Sequence, residues 1–142
     1  LCVLTALSSY SGIIVNNIFY IGLMIFISGF IIEVLADHQK TVFRKNIDNK
    51  DKFISSGLWA YSRHPNYFGE ILLWLGIAVM SFSSLEGFQY FTLISPIFVY
   101  ILLVYISGIR MLENQANKKW GHLDSYKEYL KNTPRLFFRI FG

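Results

Sequence analysis

The chain has 142 residues, of which 54% are hydrophobic, 18% aromatic and only 15% charged, and its mean hydropathy is +0.41. Soluble domains carry about 25% charged residues, so this composition argues against an ordinary soluble globule. The high hydrophobicity also excludes a disordered chain. The length allows one domain, taken as 1–142. The single cysteine, Cys2, excludes a disulfide framework, and the three histidines show no ligand spacing, so no metal site is predicted.

Three apolar runs follow one another along the chain: Ile18–Ala36, Tyr67–Leu85 and Phe91–Ile109. Each has about the 20 residues that a helix needs to cross a bilayer. The sequence therefore predicts an all-α, multi-spanning membrane protein with about three transmembrane helices. Pro96 lies inside the third run, where we expect a kink. The earlier run Leu1–Val15 is broken by serines and a glycine, so it is read either as the end of another span or as a turn.

The basic residues are segregated along the sequence. All 13 Lys and Arg lie in Lys40–Arg63 and Arg110–Arg139. By the positive-inside rule, the helical loop 37–63 and the tail 110–142 face the cytoplasm, and the connection Glu86–Tyr90 faces the other side. The membrane is the endoplasmic reticulum in a eukaryote or the inner membrane in a bacterium. The net charge of +4 is thus explained by basic segments on the cytoplasmic side of the membrane, and nucleic acid is not an expected partner.

The first polar cluster follows the first span. Asp37, Lys40 and Arg44 are three and four residues apart, so they share one face of a helix. Two cations and a carboxylate on one face can hold a phosphate and a ribose hydroxyl. The alternative is a helix end at the membrane interface whose cations reach out to water. The spacing favours neither interpretation.

The second cluster surrounds the start of the second span. Pro65 suits the first position of a helix, and a helix N-terminus attracts anions. Arg63 and His64 lie just outside this N-terminus, while Asn66 and Tyr67 lie in its first turn. The pattern favours an anion site over the alternative, an aromatic belt at the headgroup level that would include Trp59.

Carboxylates near the ends of the spans complete the candidates. Glu70 falls about one turn inside the second span, where an ionisable group is costly and is a functional hypothesis by default. In its protonated form it can donate a hydrogen bond to a substrate carbonyl; alternatively it pairs with Arg63. Glu113, at the end of the third span, can receive a ribose hydroxyl. Lys118 and Lys119 can meet a phosphate, although anionic lipid is the favoured partner.

Four stretches carry a resemblance to a known family: Asp37–Arg44, Gly57–Glu70, Met111–Glu113 and Lys119–Gly121. Over roughly residues 31–138 the chain resembles the DUF1295 family, which is similar to the steroid 5-alpha-reductases and the sterol C14 and C7 reductases. The Arg-His-Pro-Asn-Tyr-Phe-Gly-Glu string within it is specific for this wider superfamily. Prenylcysteine and phospholipid methyltransferases share a similar Arg-His-Pro-x-Tyr element, at which they bind S-adenosylmethionine.

The resemblance implies an NADPH-dependent membrane oxidoreductase that reduces a carbon–carbon double bond of a lipid or steroid-like molecule. It implies Glu70 as the catalytic residue facing the substrate carbonyl. The residues expected to bind the cofactor are Asp37, Lys40, Arg44, Trp59, Arg63, His64, Asn66, Tyr67, Glu113 and Tyr129. In the 5-alpha-reductases the glutamate works with a tyrosine from an N-terminal half, so we expect N-terminal spans to be missing from this sequence.

Two other functions stay open from the residues. One is a methyltransferase that uses S-adenosylmethionine on a lipid or a prenylated thiol, with His64 and Tyr67 binding the cofactor and Glu113 its ribose or amino group. Lys40 with Arg44 argues against it, because two cations suit a pyrophosphate, which S-adenosylmethionine lacks. The other is a non-catalytic membrane scaffold that keeps the reductase fold. The sequence has no glycine-rich phosphate loop, so any nucleotide is held by helix ends.

Overall fold

The computed structural model describes residues 12–106 and 108–138, and every regular element within them is a helix. The α-helices are α1 (Asn17–Lys45), α2 (Pro65–Ser81), α3 (Ser95–Ile101), α4 (Ile109–Trp120) and α5 (Asp124–Asn132). The 3-10 helices are Ile47–Asn49, Gly57–Ala60, Phe82–Ser84 and Gly87–Ile94, and a π-helix spans Leu102–Ile106. The predicted all-α class is confirmed. Residues 1–11, most of the Leu1–Val15 run, lie outside the described residues.

Three stretches are long and apolar enough to cross a membrane: Asn17–Lys45, Pro65–Ser84 and Gly87–Trp120. This confirms the predicted number of spans. The first helix continues well past Ala36, so the cluster that begins at Asp37 lies on its last turns. Large apolar side chains on its outer face, such as Met24 and Ile31, are exposed. Such a surface is what a helix facing lipid or further spans presents.

The helix ends follow from local sequence. The Asn16 side chain accepts a hydrogen bond from the Phe19 N–H and caps α1. Pro65 occupies the first position of α2, as predicted. Gly121 caps α4, and α5 ends directly before Thr133, which precedes a proline. These signals place the turns on which the polar clusters lie.

Helices α1 and α2 are antiparallel and pack through glycines. A Cβ atom on Gly29 would lie 2.6 Å from the Gly69 carbonyl oxygen, and one on Gly69 would lie 2.7 Å from the Gly29 carbonyl oxygen. Gly22 and Gly76 form the same kind of contact further along the two helices. A Cβ atom on either glycine would lie 2.8 Å from the carbonyl oxygen of the other. Small residues allow membrane helices to approach closely, which gains dispersion contacts that larger side chains would prevent. The two backbones are therefore in direct contact.

The third span differs from the expected kinked helix. The chain runs as a 3-10 helix up to Ile94, and α3 begins at Ser95, so Pro96 lies in the first turn. A proline there removes no hydrogen bond, because the first N–H groups of a helix have no partner within it. A π-helix then leads toward α4. A core of Val104, Ile109 and Leu136 joins this span to the tail that follows α5.

The glycine contacts predict the effect of adding bulk at Gly29. Gly29→Leu is expected to destabilise the protein by about 1–3 kcal/mol, the usual cost of overpacking, because its Cβ meets the α2 backbone. Ser28→Leu is the matched control, since Ser28 is exposed on the adjacent face. Thermal unfolding in detergent measures both variants. Equal stabilities for the two would show that the helices separate without cost.

Candidate functional site

A cavity of about 740 Å³ lies where α1 ends and α2 begins. This volume is within the range of small-molecule and cofactor pockets. Its walls are the last turns of α1, the loop that follows, the 57–64 turn, and one side each of α4 and α5. The residues lining it are Lys40, Phe43, Arg44, Lys45, Asn46, Ile47, Asn49, Lys50, Lys52, Phe53, Ile54, Trp59, Arg63, His64, Leu112, Glu113, Gln115, Ala116, Lys119, Trp120, Tyr126, Tyr129 and Leu130.

The loop after α1 is tied to the end of α4. The Trp120 indole N–H donates to the Asp51 carbonyl oxygen at 2.7 Å, and the Lys119 ammonium donates to the Lys50 carbonyl oxygen at 3.0 Å. Phe53 packs edge-on against Trp120, at 6.1 Å between ring centroids. Phe53 also contacts two tyrosines of α5, Tyr126 and Tyr129. An aromatic cluster thus forms one wall of the cavity.

The 57–61 turn is fixed to α1 by hydrogen bonds. The Gln39 side-chain oxygen accepts from the Leu58 N–H at 2.9 Å, and the Trp59 indole N–H donates to the Ala36 carbonyl oxygen at 3.0 Å. Gly57 has a φ of +62°, and a Cβ there would lie 2.6 Å from Gln39 Oε1. The positive φ favours glycine, and a side chain here would displace Gln39 from its hydrogen bond to Leu58. Trp59 is buried as a result.

A tyrosine from α5 secures the same turn. The Tyr129 hydroxyl donates to the Trp59 carbonyl oxygen at 2.7 Å. Burial raises the pKa of the Tyr129 phenol above its ordinary value, opposed by the nearby Arg63 charge. The hydroxyl is therefore protonated at neutral pH and donates this hydrogen bond.

The cavity is strongly basic and partly aromatic. Seven Lys and Arg side chains line it against one carboxylate, Glu113. The Lys40 ammonium lies over the Trp59 ring, 5.1 Å from its centroid. This cation–π contact fixes the position of the Lys40 charge at the cavity surface. Such a lining suits an anionic ligand that also carries a flat ring.

Glu113 is the centre of a charged cluster. Its Oε1 atom lies 2.9 Å from Arg63 Nη1 and 3.5 Å from His64 Nε2, while its Oε2 atom lies 3.1 Å from Arg135 Nε. The carboxylate therefore faces two guanidinium groups and an imidazole. Ion pairs of this kind are costly to bury unless the remaining polar atoms also find partners.

Several atoms of this cluster are buried without a hydrogen bond of acceptable geometry. Among the described residues, these are Arg63 Nε and His64 Nε2, together with Glu113 Oε1 and Arg135 Nε, which make ion-pair contacts only. The 3.5 Å contact from His64 to Glu113 is therefore an electrostatic contact and not a full hydrogen bond. Buried polar atoms are rarely left unpaired in proteins, so this end of the cavity has the character of a binding site.

Burial controls the charge of His64, whose side chain is only 9% exposed. Desolvation lowers its pKa below the ordinary value, and the charges of Arg63 and Lys40 add to this effect. Glu113 acts in the opposite direction, but the net shift is downward. His64 is therefore neutral at neutral pH.

The structure divides the predicted site residues into two groups. Those that line the cavity together are Lys40, Arg44, Trp59, Arg63, His64, Glu113 and Tyr129. The other four lie beside it, along the contact between α1 and α2. The Asn66 amide donates to Asp37 Oδ1 at 3.1 Å, and the Tyr67 ring stacks on His64 with centroids 5.9 Å apart. Glu70 lies further along α2, where it interacts with Trp74.

This arrangement excludes one predicted ion pair and adds three residues to the site. The alternative that paired Glu70 with Arg63 does not hold, because Arg63 pairs with Glu113. The candidates also omitted Lys50, Lys52 and Phe53, which line the cavity. Two lysines followed by a phenylalanine in the loop after α1 were the available signal for these three.

Known proteins resemble the chain over most of its length. A family model described as a protein of unknown function (DUF1295) matches residues 1–133. Steroid 5-alpha-reductase DET2 of Gossypium hirsutum is 41% identical over 110 residues, covering 78% of this chain and 37% of that protein. Human 3-oxo-5-alpha-steroid 4-dehydrogenase 1 is 38% identical over 113 residues, covering 80% of this chain and 38% of that protein.

A third relative is a probable 7-dehydrocholesterol reductase of Acanthamoeba polyphaga mimivirus, 29% identical over 140 residues. The match covers 86% of this chain and 28% of that protein. The chain therefore spans well under half the length of these relatives. No solved structure matches the chain.

Proposed function

The chain belongs to the DUF1295 family, and from this premise we propose that it forms the cofactor-binding part of an NADPH-dependent membrane reductase. The proposed reaction reduces a carbon–carbon double bond of a steroid, sterol or similar lipid. The names of the relatives support the steroid or sterol class. The apolar spans support a substrate that reaches the site from the bilayer.

The excess of cations in the cavity is the observation that carries the proposal. Seven Lys and Arg face one carboxylate, and NADPH brings a pyrophosphate and a further phosphate, each of which needs positive partners. The aromatic wall around Phe53 and Trp120 offers faces on which an adenine ring can stack. S-adenosylmethionine carries no phosphate, and its sulfonium group is positively charged. A cavity lined mainly by cations therefore suits it poorly.

The buried polar atoms also fit this cofactor. Arg63 and His64 both line the cavity, and Arg63 Nε and His64 Nε2 have no hydrogen-bond partner in the described structure. In the proposed complex they would bind oxygen or nitrogen atoms of the ligand, while Lys40 and Arg44 would bind phosphate oxygens at the end of α1. When bound, NADPH supplies a hydride to an electron-poor carbon.

Glu70 is proposed to act on the substrate. It lies one turn beyond Tyr67, whose ring stacks on His64, so a line of polar side chains leads from the cavity along α2. In its protonated form the Glu70 carboxyl would donate a hydrogen bond to a conjugated carbonyl and stabilise the negative charge that develops on its oxygen.

We propose that the cavity opens to the cytoplasm. The basic segments 37–63 and 110–142 both contribute to it, as the positive-inside rule expects, and the cytoplasm is where NADPH is found. A cysteine introduced at Asp48 is therefore expected to react with a membrane-impermeant maleimide from the cytoplasmic side, and one at Gly87 is not. Cys2 is replaced by alanine in both proteins. The reverse pattern of labelling would invert this topology.

Cofactor binding is tested by calorimetry on the detergent-solubilised protein with NADPH and S-adenosylmethionine in parallel. Arg44→Ala is expected to weaken NADPH binding by about 1.5–3 kcal/mol, the value of a charge-assisted contact. Lys118→Ala is the control, because Lys118 is exposed and outside the cavity lining. Binding of S-adenosylmethionine in place of NADPH would assign the chain to the methyltransferases. Equal affinities for Arg44→Ala and the wild type would refute the phosphate contact.

The variant Glu70→Gln tests whether Glu70 acts in the reduction of the substrate and not in the binding of NADPH. Because Glu70 lies outside the cavity lining, the variant is expected to keep NADPH affinity within a few-fold of wild type and to lose turnover of an enone steroid. NADPH oxidation in membranes measures the rate, and Glu128→Gln, an exposed carboxyl on α5, controls for loss of charge. Wild-type turnover in Glu70→Gln would remove this residue from the mechanism.

A further inference from the structure

The segment that follows α5 is built into the site. The Pro134 carbonyl oxygen accepts from the Arg63 N–H at 2.9 Å, and the Leu136 carbonyl oxygen accepts from the Ser62 hydroxyl at 2.8 Å. Ser62 is fully buried, and its oxygen also accepts from the His64 N–H at 3.3 Å. The segment 133–138 thus holds the backbone that presents Arg63 and His64 to the cavity.

Apolar contacts keep the same segment in place. Leu136 belongs to the core with Val104 and Ile109, and Phe68 of α2 packs edge-on against Phe138, at 5.1 Å between centroids. Between these anchors, Arg135 reaches Glu113 from the side opposite Arg63. Arg135 does not line the cavity, so its effect on a ligand is exerted through Glu113.

The two oxygens of Glu113 are shared unequally. Arg135 engages Oε2, whereas Oε1 faces Arg63 closely and His64 at a longer distance. We propose that Arg135 is a positioning residue of the cavity: by holding Glu113 Oε2, it keeps the contact between Glu113 Oε1 and His64 Nε2 at 3.5 Å, too long for a full hydrogen bond, so that His64 Nε2 can still bind the ligand. The nature of that ligand rests on the proposed function, but the arrangement of these side chains does not.

The charges that face His64 are consistent with this role. Lys40 of α1, Arg63 beside it in sequence and Glu113 of α4 all act on its titration, and Tyr67 covers its ring. Tyr126 of α5 and Arg135 of the tail face the cluster through Arg63 and Glu113. Without Arg135, one positive charge is lost and a carboxylate oxygen is released, and both changes favour a protonated His64.

The test is the titration of His64 by NMR of its ring signals, in the detergent-solubilised protein without any ligand. The chain has three histidines, and His64→Gln identifies the signal. Arg135→Gln is expected to raise the pKa of His64 by about one unit, the smaller end of the effect of a nearby charge. Arg135→Met, which keeps the aliphatic stem, is expected to do the same should the first variant fold poorly.

Two controls separate positioning from a general loss of charge or structure. Arg135→Lys keeps the cation and is expected to leave the titration of His64 near that of wild type. Lys131→Gln removes an equal charge from the exposed end of α5 and is expected to leave it unchanged. An unchanged titration in Arg135→Gln or Arg135→Met, or an equal rise in Lys131→Gln, would overturn the positioning role.

The titration needs no NADPH, so its outcome is independent of the proposed function. Adding NADPH to the wild-type protein is expected to shift the His64 ring signals more than those of the exposed His122. A raised pKa in Arg135→Gln together with no response of His64 to NADPH would keep Arg135 as a positioning residue and refute the cofactor.

Discussion

The close contact between α1 and α2 determines where the functional side chains lie. Glycines on both helices bring the backbones together with carbonyl oxygens under 3 Å from where a Cβ would stand. One consequence is that Asp37 at the end of α1 reaches Asn66 in the first turn of α2. Another is that the Ala36 carbonyl oxygen is within reach of the Trp59 indole, which holds the turn between the two helices. A larger residue at these positions would move one wall of the cavity away from the other.

The polar side chains form two regions with different surroundings. The cavity at the helix ends collects cations, which water and counterions stabilise while no ligand is bound. Glu70 lies instead between membrane spans, where a charge has little solvation. A reaction between a soluble anionic cofactor and an apolar substrate needs a basic, water-exposed pocket for the cofactor and an apolar environment for the substrate, close to one another. The stacked rings of His64 and Tyr67 stand between the two regions and connect them.

The sequence predicts local features of this protein well and long-range ones poorly. The spans, the proline that starts α2 and the cations on the last turns of α1 follow from hydropathy and helical spacing, which act over a few residues. The ion pair of Arg135 with Glu113 and the contact of Phe53 with α5 join chain segments that are far apart in sequence, and no periodicity encodes such contacts. The same limit explains why the sequence predicts Asp37, Asn66 and Tyr67 among the cofactor-binding residues, although they lie outside the cavity lining.

The unpaired atoms around Glu113 imply a coupling between ligand binding and stability. A buried donor such as Arg63 Nε costs about 1–3 kcal/mol while it lacks a partner. A protein keeps such a cost where a ligand removes it, because a ligand that binds only the folded state stabilises that state by mass action. The tail contributes Arg135 and two backbone carbonyl acceptors to this cluster, so its docking is part of the same equilibrium. Ligand binding and the order of the segment 133–138 are therefore expected to reinforce one another.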